Sequence, residues 1–137
     1  MSEPRFEIRF DEDAFKEYRK LDNSVAKVVD RFFEELEVRA DEIGKDLENK
    51  QSTKLHGCKE IKLKKAGIRI VIRVTNEKVD VLHIVYILAI EKRANELVFR
   101  LADHRLRYMK GRSKNIQTFL AQAKKWSSKP NKPDPKK

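Results

Sequence analysis

The sequence predicts a small α+β domain with the element order β-α-α-β-β-β-α. Three observations support this class: an alternating apolar and polar pattern at the start, apolar residues at three- and four-residue steps after it, and three apolar runs separated by turn residues. We expect a small antiparallel sheet, made of the N-terminal strand and a three-stranded meander. Two helices precede the meander and one follows it. A chain of 137 residues suits a single modest core.

The first half of the chain supplies the first strand and the two N-terminal helices. Residues 6–10 alternate apolar and polar side chains, as in a strand with one buried face. Asp11 follows at a helix N-cap position, where a carboxylate can accept hydrogen bonds from the first turn. After a break at residues 22–24, apolar residues recur from Val25 through Leu47, which predicts one long amphipathic helix.

The second half supplies the meander and the last helix. Strands are expected at about residues 59–65, 68–75 and 78–90, with a turn at residues 75–78. The last of these runs is nearly all apolar, as in a strand buried on both faces. A helix that follows it carries apolar residues at helical spacing, which we expect to face the sheet.

The chain divides into three segments by composition. Residues 1–106 form the predicted domain, residues 107–126 a basic C-terminal extension expected to be helical, and residues 127–137 a Pro- and Lys-rich tail expected to be disordered. No run approaches the roughly 18 apolar residues that span a bilayer. The single cysteine, Cys58, excludes an internal disulfide. We therefore expect a protein of a reducing compartment, the cytoplasm, with no membrane partner.

The net charge of +10 is distributed unevenly along the chain. Residues 1–48 hold 9 Lys and Arg against 15 Asp and Glu, a net charge of −6. Residues 49–103 hold 12 against 6, and residues 104–137 hold 11 against 1, which gives +6 and +10. A basic middle and a strongly basic end point to nucleic acid or another polyanion as the partner.

The charges of the middle segment follow the strand period. Glu60, Lys62 and Lys64 stand at every second position of one strand, and Arg69 and Arg73 stand on the return strand. With a four-residue loop at 65–68, Lys64 lies opposite Arg69, Lys62 opposite Val71 and Glu60 opposite Arg73. All five charges then share one face. An odd number of loop residues would place Arg69 on the opposite face from Lys62.

Four segments in register resemble the RelE group of bacterial toxins, in the RelE/ParE toxin–antitoxin superfamily. They are FDEDAFKEYRKL, KLHG, IKLKKAGIRIVIRV and LAIEKRANELVFRLA. The resemblance covers roughly residues 6–106. It implies an endoribonuclease that cuts mRNA on the ribosome, inhibits growth, and is silenced by a cognate antitoxin in a hetero-oligomer. No metal or cofactor is required, because the nucleophile is the 2′-hydroxyl of the RNA itself.

The resemblance also assigns roles to individual residues. Arg69 matches the family's phosphate-stabilising arginine, and Arg93 matches a second arginine near the leaving group. Lys62 and Lys64 keep the basic character of the family's second strand, whereas Glu60 departs from it. Phe99 stands where the family often has a tyrosine. We rank Lys62 above Glu60 as the general base, and we expect Lys64, Lys65, Arg73 and Phe99 to contact RNA.

Some alternatives remain open at this point. Glu60 either acts as a carboxylate base, forms an ion pair with Arg73 or Lys62, or lies at a solvated edge. At the level of function, the competing readings are a toxin of the same fold that inhibits DNA gyrase, as the ParE branch does, and a catalytically weak protein that binds RNA or the ribosome.

Overall fold

The computed structural model describes residues 3–78, 82–92, 97–112 and 115–127. Its centre is a six-stranded sheet in the order β2-β3-β4-β5-β1-β6. The strands are β1 Phe6–Phe10, β2 Lys45–Asp46, β3 Cys58–Leu63, β4 Ile68–Lys78, β5 His83–Lys92 and β6 Lys124–Lys125. The helices are α1 Glu12–Arg19, α2 Asn23–Arg39, α3 Leu97–Arg112 and α4 Ile116–Ala121. The predicted α+β class and the predicted element order are confirmed.

One strand orientation differs from the prediction. The meander β3-β4-β5 is antiparallel, but β1 pairs with β5 in parallel, with Ile8 beside Val85. The antiparallel assignment of β1 was wrong because no tight turn joins it to its neighbour. The chain leaves β1 through two helices and enters the sheet near the far edge, and such crossover connections join parallel strands.

The second helix is shorter than its apolar pattern suggests. The Asp11 carboxylate caps α1 as predicted, accepting from the N–H groups of Asp13 and Ala14. Helix α2 ends at Arg39, and the prediction that it continues through Leu47 was wrong. Gly44, at φ +93°, turns the chain tightly against β3 and leads into the edge strand β2. Ile43 and Leu47 pack against the core from this turn, so their spacing only imitates a helix.

The hairpin between β4 and β5 extends beyond the predicted turn. Residues 75–78 lie inside β4, so the turn expected there was misplaced. The Thr75 hydroxyl donates to the Ile84 carbonyl at 2.9 Å and accepts from the Glu77 N–H at 3.1 Å. These bonds continue the pairing past an irregularity after Val74. Polar residues can therefore form strand here, where the hairpin extends past the core.

The sheet carries apolar side chains on both faces. Helices α1 and α2 cover one face, around Phe10, Phe33 and Leu36, and α3 covers the other, around Leu88 and Val98. All residues of β5 from Ile84 to Ile90 are buried, as predicted for a strand covered on both sides. Among the described residues, no helix has the length and apolar character that crossing a membrane requires.

The C-terminal segment returns to the sheet. Strand β6 pairs with β1, and Trp126 packs edge-on against Phe33, with ring centroids 5.4 Å apart. The Trp126 indole N–H reaches the Tyr18 hydroxyl at 3.2 Å and an Asp30 carboxylate oxygen at 3.1 Å. Residues 115–127 thus contribute to the same core as the rest of the chain. Residues 128–137, most of the predicted tail, lie outside the described part.

Candidate functional site

The pairing of β3 with β4 brings opposite charges and like charges together on one face of the sheet. Lys62 lies directly opposite Arg69, Glu60 opposite Val71, and Cys58 opposite Arg73. Directly opposed residues of an antiparallel pair project to the same face. The predicted shared face of Glu60, Lys62, Arg69 and Arg73 is therefore confirmed.

The predicted pairing itself was wrong by two residues. Lys64 does not face Arg69, because residues 64–66 form a short 3₁₀ turn that is closed by Gly67 at φ +68°. The loop still has four residues, so its even number is preserved and the faces are unchanged. Lys64 and Lys65 are exposed on this turn and lie at the end of the hairpin, beyond the ladder.

Glu60 forms a buried ion pair with Arg69. A Glu60 carboxylate oxygen lies 2.8 Å from Arg69 Nε, and the two side chains are 6% and 12% exposed. The partners expected for Glu60, Arg73 and Lys62, were therefore wrong, because the register places Arg69 closer. The pair costs desolvation that its contacts must offset, and removing one partner would leave the other as an uncompensated charge.

Phe99 completes the surroundings of Arg69. It lies in the first turn of α3, and the Arg69 guanidinium carbon is 5.2 Å from the centre of its ring. A guanidinium over an aromatic face is attracted by the ring's quadrupole. The carboxylate and the ring together fix the direction of the arginine fork, and the exposed Lys62 places a second cation beside it.

A cavity of about 400 Å³ opens next to this arrangement. Glu60 and Phe99 form part of its wall, and the segment before β3 supplies most of the rest. That segment is held in place by Asp103 of α3, whose carboxylate accepts from the Lys54 N–H at 2.9 Å. Arg100 also lines the cavity, next to Phe99 in the sequence. Arg100 was not predicted as a site residue, although a cation adjacent to a candidate stacking ring was a usable signal.

Two predicted residues stand apart from this cluster. Arg73 points toward the other end of β3, with Nη1 3.9 Å from the Cys58 sulfur and close against Gly57. Cys58 is buried, and burial raises the pKa of its thiol, so it is an unreactive core residue. Arg93 lies outside the described residues. The structure therefore brings together Glu60, Lys62, Arg69 and Phe99.

Glu91 was not anticipated from the sequence. It is the neighbour of Arg69 on β5, so Arg69 lies between Lys62 on one side and Glu91 on the other. Burial, and next the charge of Glu17, raise the pKa of Glu91. Among the described residues, no group of three or more His, Cys, Asp or Glu side chains is arranged to hold a metal ion.

Comparison with known proteins gives a consistent result. No protein-family model matches the chain. A protein of Escherichia coli described as a RelE-like toxin is 33% identical over 106 residues, covering 75% of this chain and 99% of that protein. Among solved structures, an arginine double mutant of the E. coli toxin RelE in the free state aligns with a TM-score of 0.57 and 27% identity, over 76% of this chain and 99% of its own.

A second solved structure supports the fold alone. The toxin–antitoxin complex RelBE2 of Mycobacterium tuberculosis aligns with a TM-score of 0.52 and 24% identity, over 69% of this chain and 98% of the matched chain. About a quarter of the present chain has no counterpart in the E. coli proteins.

Proposed function

The chain belongs to the family of RelE-like toxins, and we propose that it is an endoribonuclease that cleaves mRNA at the ribosome. The observation that carries the proposal is the placement of Arg69, held between the Glu60 carboxylate and the Phe99 ring beside an open cavity. Lys62 stands directly opposite. This is a cationic site with a stacking surface, as binding of a single-stranded nucleotide requires.

The proposed chemistry uses the 2′-hydroxyl of the RNA as the nucleophile. The 2′-hydroxyl loses its proton as it attacks the adjacent phosphorus, and the bond to the 5′-oxygen breaks. The departing oxygen takes up a proton, so the products are a 2′,3′-cyclic phosphate and a 5′-hydroxyl. Arg69 neutralises the charge that develops on the phosphate oxygens, since its donors match their geometry and it stays protonated. Phe99 stacks on a base and keeps the reacting nucleotide in position.

Lys62 and Glu60 take different parts in this proposal. Glu60 is nearly buried and engaged with Arg69, so we assign it to holding that arginine and not to taking the proton. Lys62 is exposed on the same face, next to a permanent cation, and is our candidate for assisting removal of the 2′-proton. Lys64, Lys65 and Arg73 add positive charge along the hairpin, with Arg93 as the further candidate near the leaving oxygen.

A cognate antitoxin and a hetero-oligomeric resting complex complete the proposal, with action in the cytoplasm. The support is the family membership and the net charge of +10, which favours an acidic partner. Expression of the chain alone should arrest growth, and co-expression of the antitoxin should relieve the arrest.

Primer extension on translated mRNA tests the proposal. The wild-type protein should give cuts in phase with codons only when ribosomes are present, and a 2′-deoxy nucleotide at the cut position should abolish the cut. Arg69→Ala should remove the cuts, whereas Arg39→Ala, which changes an exposed arginine on α2, should not. Intact mRNA with stalled gyrase complexes would contradict the proposal and favour the gyrase-inhibiting alternative.

A further inference from the structure

A second cavity lies at the β1–β6 end of the sheet, where the C-terminal segment meets the rest of the domain. It has a volume of about 520 Å³. Its apolar wall comes from β1, α1, β5 and α4, through Phe10, Phe15, Tyr86 and Phe119. A cavity of this size with a mostly apolar wall and a few polar groups is typical of small-ligand sites in proteins.

Tyr86 contributes a hydroxyl-bearing ring to this wall. The residue is 1% exposed, and its ring lies 6.1 Å from that of Phe119. The side chain forms part of the cavity wall. Burial, and next the carboxylates of Asp11 and Glu12, raise the pKa of Tyr86, so the hydroxyl stays protonated and can donate. A protonated hydroxyl in the cavity wall can donate a hydrogen bond to an acceptor atom of a ligand.

The rim of the cavity is basic. Its charged lining consists of three lysines, Lys16, Lys124 and Lys125, and one carboxylate, Glu12, and Gln122 also lines it. Lys124 Nζ lies 5.3 Å from the centre of the Phe15 ring, so the cation already covers an aromatic face. The aromatic wall, the tyrosine hydroxyl and the cationic rim together suit a ligand that has a heteroaromatic ring and an anionic group.

We propose that this cavity binds a phosphorylated nucleoside, with its base between the aromatic side chains and its phosphate at the three lysines. A nucleotide within RNA and a free nucleotide both have these groups. We favour RNA as the ligand, and this part of the inference rests on the proposed function. The cavity is separate from the Arg69 site. Tyr86 and the Arg69 neighbour Glu91 are five residues apart on β5, which corresponds to about 16 Å along the strand.

Binding of adenosine monophosphate to the full-length protein tests the proposal, measured by calorimetry and by chemical-shift mapping. Shifts should centre on Phe119 and Gln122, and adenosine or ribose 5-phosphate alone should bind at least about tenfold more weakly. Tyr86→Phe should weaken binding about fivefold with the fold unchanged. The double change Lys124→Glu and Lys125→Glu should weaken it more than about tenfold, whereas Lys20→Glu, an exposed lysine outside the cavity, should not.

The arms of the experiment separate the possible results. A short adenosine oligoribonucleotide that binds more tightly than the monophosphate supports RNA as the ligand, and the reverse order supports a free nucleotide. No saturable binding at about 10 mM nucleotide, or binding insensitive to the tyrosine and lysine changes, overturns the proposal. The Arg69→Ala variant should lose mRNA cleavage and keep this binding. If the wild-type protein cleaves mRNA but does not bind the nucleotide, only the inference about this cavity is refuted. If it binds the nucleotide but does not cleave mRNA, only the proposed function is refuted.

Discussion

Two arginine–glutamate pairs in this protein have the same closest distance, 2.8 Å, and opposite surroundings. Arg105 of α3 forks onto both carboxylate oxygens of Glu17 and also donates to the Leu88 carbonyl at 2.9 Å. Glu17 in turn accepts from the Ile90 N–H at 3.0 Å. Arg69 has Glu60 on its edge, Phe99 on its face and a cavity beside it. The first pair ties elements together, and the second orients a cation at an opening.

The surroundings of the two arginines distinguish a structural role from a functional one. Burial opposes the charge of Arg105, but its bonds to Glu17 and the nearby Asp11 raise its pKa overall. Its donors are directed to backbone and carboxylate within the fold. Arg69 also lies over the Phe99 ring, and an aromatic surface of this kind can stack on a base.

Removal of Arg105 should have the largest effect on stability. Arg105→Leu leaves the partly buried Glu17 and the buried Asp11 without their cation, which should lower the free energy of unfolding by about 3–5 kcal/mol. Urea denaturation measures the change. The exposed pair of Arg39 with Glu35 is the control, and Arg39→Ala should alter stability little. Equal losses of stability in the two variants would show that the Arg105 pair does not hold the fold together.

Removal of Arg69 should reduce activity strongly and stability less than removal of Arg105 does. Arg69→Ala should reduce mRNA cleavage about a hundredfold or more, because the developing phosphate charge loses its donor. Its cost in stability should be smaller than that of Arg105→Leu, about 1–3 kcal/mol, since the cavity lets water reach Glu60.

A double variant separates the two effects of Arg69. Adding Glu60→Gln should recover most of the stability, because the buried negative charge disappears, and none of the cleavage. Recovery of cleavage in the double variant would show that Arg69 serves only to neutralise Glu60.

The fold was largely predictable from the sequence because its signals are local. Apolar periodicity, the Asp11 cap and the turn glycines depend on neighbouring residues, and they gave the class and the order of elements. The parallel pairing of β1 with β5 and the end of α2 depend on contacts distant in sequence, so the local pattern was misleading there. The pairing of β6 with β1, which brings Trp126 into the core, likewise depends on contacts between residues distant in sequence.

The sequence predicted most residues of the candidate site, but it did not predict which of them pair across the strands. The alternation of charges placed Lys62 and Arg69 on one face, since a face depends only on whether the loop count is even. The partner of Glu60 depends on the absolute register, which the 3₁₀ turn at residues 64–66 shifts by two. Glu91 and Arg100 join the site through β5 and α3, which no motif of the hairpin could indicate.

The aromatic face of Arg69 predicts an intermediate effect on activity. Phe99→Leu should lower cleavage about tenfold, because stacking on a base is lost while an apolar side chain remains. Phe99→Tyr should retain full cleavage, since the ring is kept. Tyr108→Leu, an exposed aromatic on the same helix, is the matched control in the primer-extension assay. An equal loss in Phe99→Tyr would show that packing, and not stacking, is the limiting property of this position.

Glu91 links the two arginine pairs and predicts the smallest effect, a change in the pH dependence of stability. It neighbours Arg69 on the sheet, and burial and then Glu17 raise its pKa. Between the ordinary carboxyl pKa and the raised value, the folded state keeps a proton that the unfolded state has released. The contribution of Glu91 to the free energy of unfolding is therefore highest at low pH and falls as the pH rises through this window.

Glu91→Gln should remove that fall. The variant should be more stable than the wild type at neutral pH, by less than about 1 kcal/mol, and the two should converge in acid, where Glu91 is protonated. Urea denaturation at a series of pH values from about 4 to 8 measures the two curves. Lys92→Gln, a change at the next and exposed position, should leave the shape of the wild-type curve intact. If stability depends on pH in the same way in Glu91→Gln and in the wild type, the charge of Glu17 does not affect Glu91. The Arg105 and Arg69 pairs would then be electrostatically independent.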